Sequence, residues 1–212
     1  MESADEVVYV VDDDGRVCEA LAALLRANGR SVRAFNSGSD FLQAPLLDAV
    51  ACVILDMRMP GMSGLEVQKL LASSSHIPVI FVTGRGDIPS TVLAMKGGAV
   101  DFLTKPIDED ALMRAIDAAL AKARVIRRET ADAAVLEARY QSLTPREQEL
   151  LPLLAQGLLN KQAAGILGIT EYTVQVHRGR IMRKMGADSF ATLVKQAGKL
   201  RLETPPTAAS EA

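Results

Sequence analysis

With 212 residues and a hydrophobic fraction of 49%, the chain has room for two packed domains and is not a disordered protein. It contains no apolar run near the roughly 20 residues of a membrane-spanning helix, and its acidic first residues exclude a signal peptide, so we expect a cytoplasmic protein without a membrane partner. The net charge of −2 hides an asymmetry: residues 1–124 carry 12 Lys and Arg against 17 Asp and Glu, a net charge of −5, whereas residues 142–200 carry 8 against 4, a net charge of +4. This asymmetry indicates two domains with different partners, and the basic second domain suits binding to nucleic acid.

The first 120 residues alternate between strand and helix signals. Short runs of β-branched and apolar residues predict five strands, at residues 7–11, 31–35, 51–55, 77–82 and 101–103. Apolar residues at helical spacing predict helices over 16–28 and 88–97, and Ser63 with Glu66 forms a capping box at the start of another helix. Strands that alternate with helices predict a doubly wound, flavodoxin-like sheet of five parallel strands, with helices on both faces.

A long helix follows and leads into a second domain. It begins near Asp108, with acids that suit the positive end of the helix dipole, and runs to about Tyr140. Thr144 and Glu147 then form the capping box of a new helix, with a proline at its first position. We predict an α/β domain over residues 1–122, a helical linker over 123–141, an all-α helix-turn-helix domain over 142–202 and a disordered tail over 203–212.

Three carboxylates fall at the ends of two strands that the crossover connections place side by side. Asp12 and Asp13 follow the first strand and Asp56 follows the third, and ligands in such sheets bind at the carboxyl ends of the strands. Uncompensated carboxylates in one crevice repel each other, so we expect a cation, and an all-oxygen ligand set favours Mg²⁺ or Mn²⁺. Taken alone, Asp12 and Asp13 fit a solvated acidic loop equally well.

Two further strand ends favour the metal site over the acidic loop. Thr83 ends the fourth strand and offers a hydroxyl to a phosphoryl oxygen, and Lys105 follows the fifth strand and offers an ammonium group. Pro106 permits a cis peptide bond, which would direct Lys105 into the crevice. Carboxylates, a metal ion, a hydroxyl and an ammonium group suit phosphoryl transfer, with Asp56 as the nucleophile that forms an aspartyl phosphate.

Residues 5–122 resemble the receiver domain of two-component response regulators. Four fragments carry the resemblance, in order and with the right spacing: Val10-Val-Asp-Asp13, Asp56-Met-Arg-Met-Pro-Gly-Met-Ser-Gly-Leu-Glu66, Val82-Thr-Gly84 and Asp101-Phe-Leu-Thr-Lys-Pro106. Residues 84–89 and 94–99 are most similar to the FixJ-like branch of that family.

The resemblance implies that a sensor histidine kinase phosphorylates Asp56. It also implies a ligand set for Mg²⁺, in which the side chains of Asp13 and Asp56 and the carbonyl of Arg58 bind the ion and Asp12 assists. The cofactor expected from the residues and the cofactor implied by the resemblance are therefore the same.

The resemblance also implies how the switch works. Thr83 and Phe102 match the pair that moves together on phosphorylation. In the FixJ-like branch, phosphorylation promotes dimerisation through the fourth helix and the fifth strand, a region that contains Val92 and Lys96 in this chain. Arg85 stands where that branch commonly has histidine, and we expect little effect from this departure.

Residues 160–184 have the spacing of a helix-turn-helix unit. Ala164 permits close helix crossing, Gly168 permits the turn and Val174 packs the second helix from within. Thr170 caps the second helix, whose first residues would enter the major groove of DNA. Residues 172–187 contain no acid and several basic side chains, which suits contact with phosphates. The basic face alone would fit an ordinary amphipathic bundle, whereas the spacing and the capped start favour DNA binding.

The side chains expected to contact DNA lie in and beside this second helix. Gln175 and Arg178 are suited to hydrogen bonds with base edges, and Val176 is suited to contact with a thymine methyl group. The whole expected DNA-binding set is Asn160, Lys161, Thr170, Thr173, Gln175, Val176, Arg178, Arg180 and Lys184.

Residues 142–200 resemble the LuxR/NarL-type output domain. The resemblance runs through residues 143–147, 157, 160–161, 167–170, 173–177 and 184–185, and it implies a four-helix domain whose last helix dimerises on palindromic sites. Tyr172 replaces a frequent arginine, and Gly179 lies inside the recognition helix at a cost of about 1 kcal/mol against alanine. These departures put a contact map borrowed from the family in doubt.

Together these features predict a DNA-binding transcriptional response regulator, in which phosphorylation of Asp56 promotes receiver dimerisation and promoter binding. The expected partners are a sensor histidine kinase, double-stranded promoter DNA with palindromic half-sites, a second copy of the chain and RNA polymerase. We do not expect an enzyme. We expect a phosphoacceptor that assists its own Mg²⁺-dependent phosphoryl transfer and dephosphorylation.

Two alternatives stay open. A Mg²⁺-dependent phosphatase or phosphotransferase would share the aspartate chemistry, but Arg58 stands where haloacid-dehalogenase-type enzymes have a second acid, and no substrate-binding cap is visible in the sequence. A DNA-binding protein that works without phosphorylation would use its receiver only as a dimerisation scaffold. The intact set of aspartates, threonine and lysine argues against that second alternative.

Overall fold

The computed structural model describes residues 6–84, 88–200 and 202. The chain divides into an N-terminal unit, Met1–Arg128, and a C-terminal unit, Glu129–Ala212. The predicted disordered tail, residues 203–212, lies outside the described residues, and so do residues 85–87, which include Arg85. Within the described ranges, no helix combines the length and the apolar character that crossing a membrane requires.

Five parallel strands form the centre of the N-terminal unit. They are β1 Glu6–Val11, β2 Val32–Phe35, β3 Val50–Asp56, β4 Val79–Thr83 and β5 Asp101–Thr104. Their order in the sheet is β2-β1-β3-β4-β5, and every neighbouring pair is parallel. This order confirms the predicted doubly wound sheet. The fourth strand begins two residues later than predicted, because Pro78 has no N–H group for the ladder.

Helices cover both faces of this sheet. They are α1 Gly15–Ala27, α2 Gly38–Gln43, α3 Gly64–Ser74, α4 Ile88–Lys96 and the first part of α5 Glu109–Gln141. The capping box of Ser63 and Glu66 opens α3 as predicted. The short α2 was not predicted, since its six residues carry no apolar repeat, and the Ser37 side chain caps it. The unbroken α5 confirms the long helix that the sequence predicts.

Alternate residues of the central strands point to opposite faces and build two hydrophobic layers. One layer joins the sheet to α1 and α5 through residues such as Leu25 and Ile116. The other joins it to α2 and α3 through residues such as Phe41 and Val67. Since β3 is buried along nearly its whole length, Asp56 stands at the end of a rigid strand.

The C-terminal unit is helical. After the end of α5 it contains α6 Pro145–Ala155, α7 Asn160–Leu167, α8 Glu171–Met185 and α9 Phe190–Lys199. Gly168 ends α7 with a φ of 64°, a left-handed conformation that favours glycine, and the Thr170 side chain caps α8. Val174 is fully buried in the core formed by these helices. The turn between α7 and α8 therefore confirms the predicted helix-turn-helix.

Candidate functional site

Polar side chains meet where three neighbouring strands end. Asp12 follows β1, Asp56 is the last residue of β3 and Thr83 is the last residue of β4. All three are buried, with exposed fractions of 3%, 6% and 2%. Burial of polar groups costs free energy unless they are partnered, so the contacts of these side chains define the chemistry of this edge of the sheet.

The Lys105 ammonium group joins the two buried carboxylates. Its Nζ atom lies 2.6 Å from Oδ2 of Asp12 and 2.9 Å from Oδ1 of Asp56. The Lys105 backbone N–H donates to the Thr83 carbonyl at 2.8 Å, and the Lys105–Pro106 peptide bond is cis, as predicted. Burial lowers the pKa of Lys105, but the hydrogen bonds and the negative charges of Asp12 and Asp56 together outweigh burial and raise the pKa above its ordinary value. The group is therefore a cation at neutral pH.

The loop that carries Asp56 is anchored in the core. Oδ2 of Asp56 accepts a hydrogen bond from the backbone N–H of Arg58 at 2.6 Å. Met57 and Met59 are buried in the layer that faces α2 and α3. Gly64, at the start of α3, has no room for a side chain, because an added Cβ atom would lie 2.3 Å from the Asp56 carbonyl oxygen. Close packing of α3 thus holds the backbone on which Asp56 and Arg58 are presented.

The structure brings two of the three predicted carboxylates together. Asp12 and Asp56 share Lys105, whereas Asp13 is exposed. Across residues 6–84, 88–200 and 202, no group of three His, Cys, Asp or Glu side chains is arranged so that it could hold a metal ion. The donors at the sheet edge still fit Mg²⁺, which proteins commonly bind through one or two carboxylates with water completing the shell. Two buried carboxylates beside one ammonium also leave a negative charge for a cation to offset.

The predicted switch and dimerisation residues lie on β4, β5 and α4. Phe102, on β5, is half-buried and packs against the layer that faces α2 and α3. Val92 and Lys96 are exposed on α4, whose buried residue is Ala94. Ile88 and Leu93 are also exposed, so α4 presents an apolar surface to its surroundings within the N-terminal unit.

In the C-terminal unit, α8 buries one face and exposes the other. Val174, Ile181 and Met185 are buried in the core. Among the side chains predicted to contact DNA, Gln175 and Arg180 are exposed and Val176 is half-buried. With about 3.6 residues per turn, these three project away from the buried face and are available to a ligand.

Two basic side chains of α8 that are predicted to contact DNA also make contacts inside the unit, and both are partly exposed. The guanidinium carbon of Arg178 lies 4.2 Å from the centroid of the Phe190 ring in α9, a cation–π contact. The Lys184 Nζ atom lies 2.6 Å from Oε2 of Glu147, whose exposed fraction is 1%. Both side chains contact the neighbouring helices. Arg178 stabilises the packing of α8 against α9, and Lys184 stabilises the packing of α8 against α6.

Glu147 is the centre of a buried polar cluster between α6 and α8. It accepts hydrogen bonds from Lys184 and, at 2.9 Å, from the backbone N–H of Thr144. Nδ1 of His177 lies 4.0 Å from the same carboxylate, so this histidine packs beside the cluster. Burial raises the pKa of Glu147, but the hydrogen bonds from Lys184 and Thr144 and the positive charge of Lys184 together outweigh burial and hold the pKa below its ordinary value.

The remaining predicted DNA contacts lie at the amino ends of α7 and α8. Lys161 is exposed, and Asn160 is half-buried, with its Oδ1 atom lacking a hydrogen-bond partner among the residues that the structure describes. The Thr170 hydroxyl accepts the Thr173 N–H at 3.1 Å and lies 2.8 Å from the Thr173 hydroxyl. Both threonine hydroxyls are therefore engaged in the cap of α8.

Some placements and contacts at these sites were not predicted from the sequence. Tyr172 has an exposed fraction of 75% and lies on the outer side of α8 with Gln175, a placement that counting residues per turn could have revealed. The packing role of Gly64 and the pairing of Phe190 with Arg178 carry no local sequence signal, because each depends on a contact between separate elements.

Comparison with known proteins gives a consistent result over both units. Residues 8–117 match the family described as response regulator receiver domain, and residues 141–197 match bacterial regulatory proteins of the luxR family. Nodulation protein W of Bradyrhizobium diazoefficiens is 44% identical over 97% of this chain and 91% of its own length. The transcriptional regulatory protein FixJ of Azorhizobium caulinodans is 42% identical over 90% of both chains. The solved structure of the response regulator StyR is 48% identical, with a TM-score of 0.78, and covers 92% of this chain and 100% of its own.

Proposed function

This chain belongs to the transcriptional response regulators that join a receiver domain to a LuxR-type DNA-binding domain, and from that premise we propose that phosphorylation of Asp56 controls its binding to promoter DNA. The observation that supports the proposal most strongly is the Lys105 ammonium, held by the carboxylates of both Asp12 and Asp56. A cation fixed beside a buried carboxylate at the end of a rigid strand suits a site that accepts a phosphoryl group.

We assign the receiver domain to residues 1–122, a helical linker to 123–141, the DNA-binding domain to 142–202 and a tail to 203–212. The family matches over residues 8–117 and 141–197 and the continuous α5 from Glu109 to Gln141 support this division.

In the proposed reaction, a carboxylate oxygen of Asp56 attacks the phosphorus of a phosphohistidine on a sensor kinase. The P–N bond breaks as the O–P bond forms, and the imidazole leaves with a proton from solvent. The rigid backbone around Asp56 holds the attacking oxygen in place. Lys105 then exchanges its hydrogen bond with Asp56 for one with a phosphoryl oxygen, and Thr83 donates its hydroxyl to another.

The groups that would hold Mg²⁺ are the side chains of Asp12, Asp13 and Asp56 and the carbonyl oxygen of Arg58, with Mn²⁺ as a substitute. The ion, when bound, supplies positive charge beside the transferred phosphoryl oxygens. In the same site, attack of a water molecule on phosphorus would break the bond to the Asp56 oxygen, release inorganic phosphate and return Asp56 to its free carboxylate. The protein thus works as a regulator that assists its own dephosphorylation rather than as an enzyme acting on other substrates.

The phosphorylated receiver dimerises through α4 and β5. Movement of Thr83 towards the phosphoryl group leaves space for Phe102 to turn inwards, which shifts a pre-existing equilibrium of this surface. The exposed apolar side chains of α4, around Val92 and Lys96, support this choice of surface. Dimerisation then favours binding to paired DNA half-sites.

We propose that the outer side of α8 reads the DNA. Gln175, Val176, Arg178 and Arg180 would contact bases and phosphates in the major groove, and Asn160, Lys161 and Lys184 would contact the backbone. Thr170 and Thr173 cap the helix whose amino end approaches the DNA. RNA polymerase is the partner that such a regulator would engage at a promoter in the cytoplasm.

Labelling with a small phosphodonor tests the chemistry. The wild-type chain and the variants Asp56→Asn and Asp48→Asn are incubated with acetyl phosphate and Mg²⁺, and the label is located by peptide mass spectrometry. Asp48 is an exposed aspartate that pairs with Arg127 and serves as the control. We expect one phosphoryl group on Asp56 in the wild type and in Asp48→Asn, and none in Asp56→Asn.

Light scattering of the labelled wild type and of a Val92→Asp variant treated in the same way tests the dimerisation surface. The labelled wild type is expected to dimerise, and Val92→Asp is expected to accept the label and stay monomeric. Labelling at another residue, or equal labelling of Asp56→Asn, would overturn the phosphoacceptor assignment. Sustained turnover of small phosphate esters would instead favour the enzyme alternative.

A further inference from the structure

Gly179 stands in the interior of α8, where a glycine is costly. It lies within α8, which runs without a break from Glu171 to Met185. Glycine in such a position lowers helix stability relative to alanine because its unfolded backbone has more freedom to lose. Where such a glycine lies on a surface that binds a ligand, the missing side chain also lets the ligand approach the backbone closely.

The usual structural reasons for a helical glycine do not apply to Gly179. Its φ is not positive, unlike those of Gly168 and Gly186 at the helix ends. A Cβ atom added to Gly179 would meet no described atom within 4 Å, whereas one added to Gly64 would lie 2.3 Å from a carbonyl oxygen. Within the described residues, the fold leaves space for a side chain that the sequence does not supply.

The helical phase puts Gly179 on the outer side of α8. Each residue turns by about 100° around the helix axis, so Gly179 lies nearly opposite Ile181, which is buried with Val174 and Met185. One turn before Gly179 on the same side is Gln175, and one turn after it is Arg183, both exposed.

The chemistry around Gly179 suits a DNA duplex. Residues 172–187 contain no acidic side chain, and Arg180 and Arg183, both exposed, follow Gly179 within about one turn of the helix. An exposed amide, Gln175, lies between them and the amino end of the helix. An absent side chain in the middle of this surface brings the helix backbone nearer to whatever it covers.

We propose that Gly179 is the point of closest approach between α8 and the floor or wall of the major groove. Its lack of a side chain lets Gln175 and Arg180 reach base edges, so Gly179 determines specificity by permitting close approach rather than by making a hydrogen bond. The proposal rests on the proposed function, since it requires that the outer side of α8 binds DNA.

The proposal makes stability and specific binding change in opposite directions. Gly179→Ala in the full-length chain removes the glycine cost and is expected to raise the midpoint of thermal unfolding of the C-terminal unit by about 4–8 °C. The same methyl group holds the helix away from the bases, and loss of one base contact weakens specific binding by about tenfold or more.

The DNA probe is the duplex that the wild-type chain enriches from a randomised double-stranded library, and a duplex of random sequence serves as the non-specific probe. Gly198→Ala is the matched control, because Gly198 is also an exposed helical glycine whose added Cβ would meet nothing within 4 Å, but it lies in α9. We expect Gly198→Ala to gain stability and to keep the affinity of the wild type for a duplex that carries a single half-site of the enriched sequence, where dimerisation through α9 does not contribute.

Gly179→Ala is expected to keep its affinity for the random duplex within about twofold, since the arginines that contact phosphates are retained. The proposal is overturned if Gly179→Ala binds the enriched duplex as tightly as the wild type. It is also overturned if the variant loses affinity for both duplexes equally, which would indicate a general loss of binding. If the wild type enriches no sequence at all, the proposed DNA-binding function fails together with this inference.

Discussion

The ammonium group of Lys184 lies 2.6 Å from the carboxylate of Glu147, and this charge pair joins α8 to α6. The Glu147 carboxylate is almost completely buried, whereas the Lys184 side chain is partly exposed. The two residues are 37 positions apart in sequence. Since α8 has the outer side that we assign to DNA, this pair helps to fix the orientation in which that side is presented.

Removing the cation of this pair is expected to destabilise the C-terminal unit. Lys184→Ala leaves the buried Glu147 carboxylate without its cation, which we expect to cost about 1–3 kcal/mol, at the lower end for a partly exposed lysine. Native-state hydrogen exchange of α6 and α8 in the full-length chain measures the change. Lys195→Ala, an exposed lysine of α9, should change the free energy of opening by less than about 0.5 kcal/mol. Equal effects of the two variants would show that the pair does not stabilise the C-terminal unit.

The same pair predicts a pH dependence of stability. The pKa of Glu147 is held below its ordinary value of 4.5 in the folded protein, so its contribution is fully present above about pH 4.5 and is lost as pH falls through the folded pKa. Wild type and Glu147→Gln should therefore differ in unfolding free energy at neutral pH, and the difference should shrink as the solution is acidified. A difference that grows on acidification would contradict the assigned direction.

A divalent cation is expected to stabilise the N-terminal unit. Magnesium at about 100 times its dissociation constant should add about 2.7 kcal/mol to the unfolding free energy, if it binds only the folded chain. Asp56→Asn should abolish most of this gain, because it removes one buried carboxylate of the site. Asp110→Asn, an exposed aspartate of α5, should retain the gain. Hydrogen exchange of β1 and β3 with and without the ion provides the measurement, and a gain that survives Asp56→Asn would place the ion elsewhere.

The stacking of Arg178 on Phe190 predicts energetic coupling between α8 and α9. A double-mutant cycle with Arg178→Gln, Phe190→Leu and the combined variant should give a coupling of about 0.5–1 kcal/mol for a partly exposed cation–π pair. Urea unfolding followed by circular dichroism measures all four proteins. Strictly additive effects would mean that the two side chains are neighbours without a significant interaction.

The sequence predicts well where local patterns decide the structure. The capping boxes at Ser63 and Thr144 are both present, since each depends on residues only three positions apart. The order of strands follows from alternation of strands and helices together with the handedness of crossovers. Placement of Asp12, Asp56 and Lys105 at one edge of the sheet then follows from topology alone.

Contacts between separate elements could not be read from the sequence. The contacts of Arg178 and Lys184 inside the C-terminal unit could not be predicted, because a run of basic residues does not indicate which side of the helix each one occupies. Packing decides this, through Phe190 in one case and Glu147 in the other. Asp13 follows Asp12 directly in the chain, yet one is exposed and the other is buried, since neighbouring residues at a strand end point in different directions.

The most direct test of the account compares DNA affinity before and after phosphorylation of the full-length chain. Wild type and Asp56→Asn are titrated onto the enriched duplex at fixed salt, with Mg²⁺ and with or without acetyl phosphate. The account predicts that the phosphodonor tightens binding by the wild type by about 5- to 150-fold, a typical range for coupled sites, and leaves Asp56→Asn unchanged. A fully phosphorylated wild type with unaltered affinity, or an equal gain in Asp56→Asn, would contradict it.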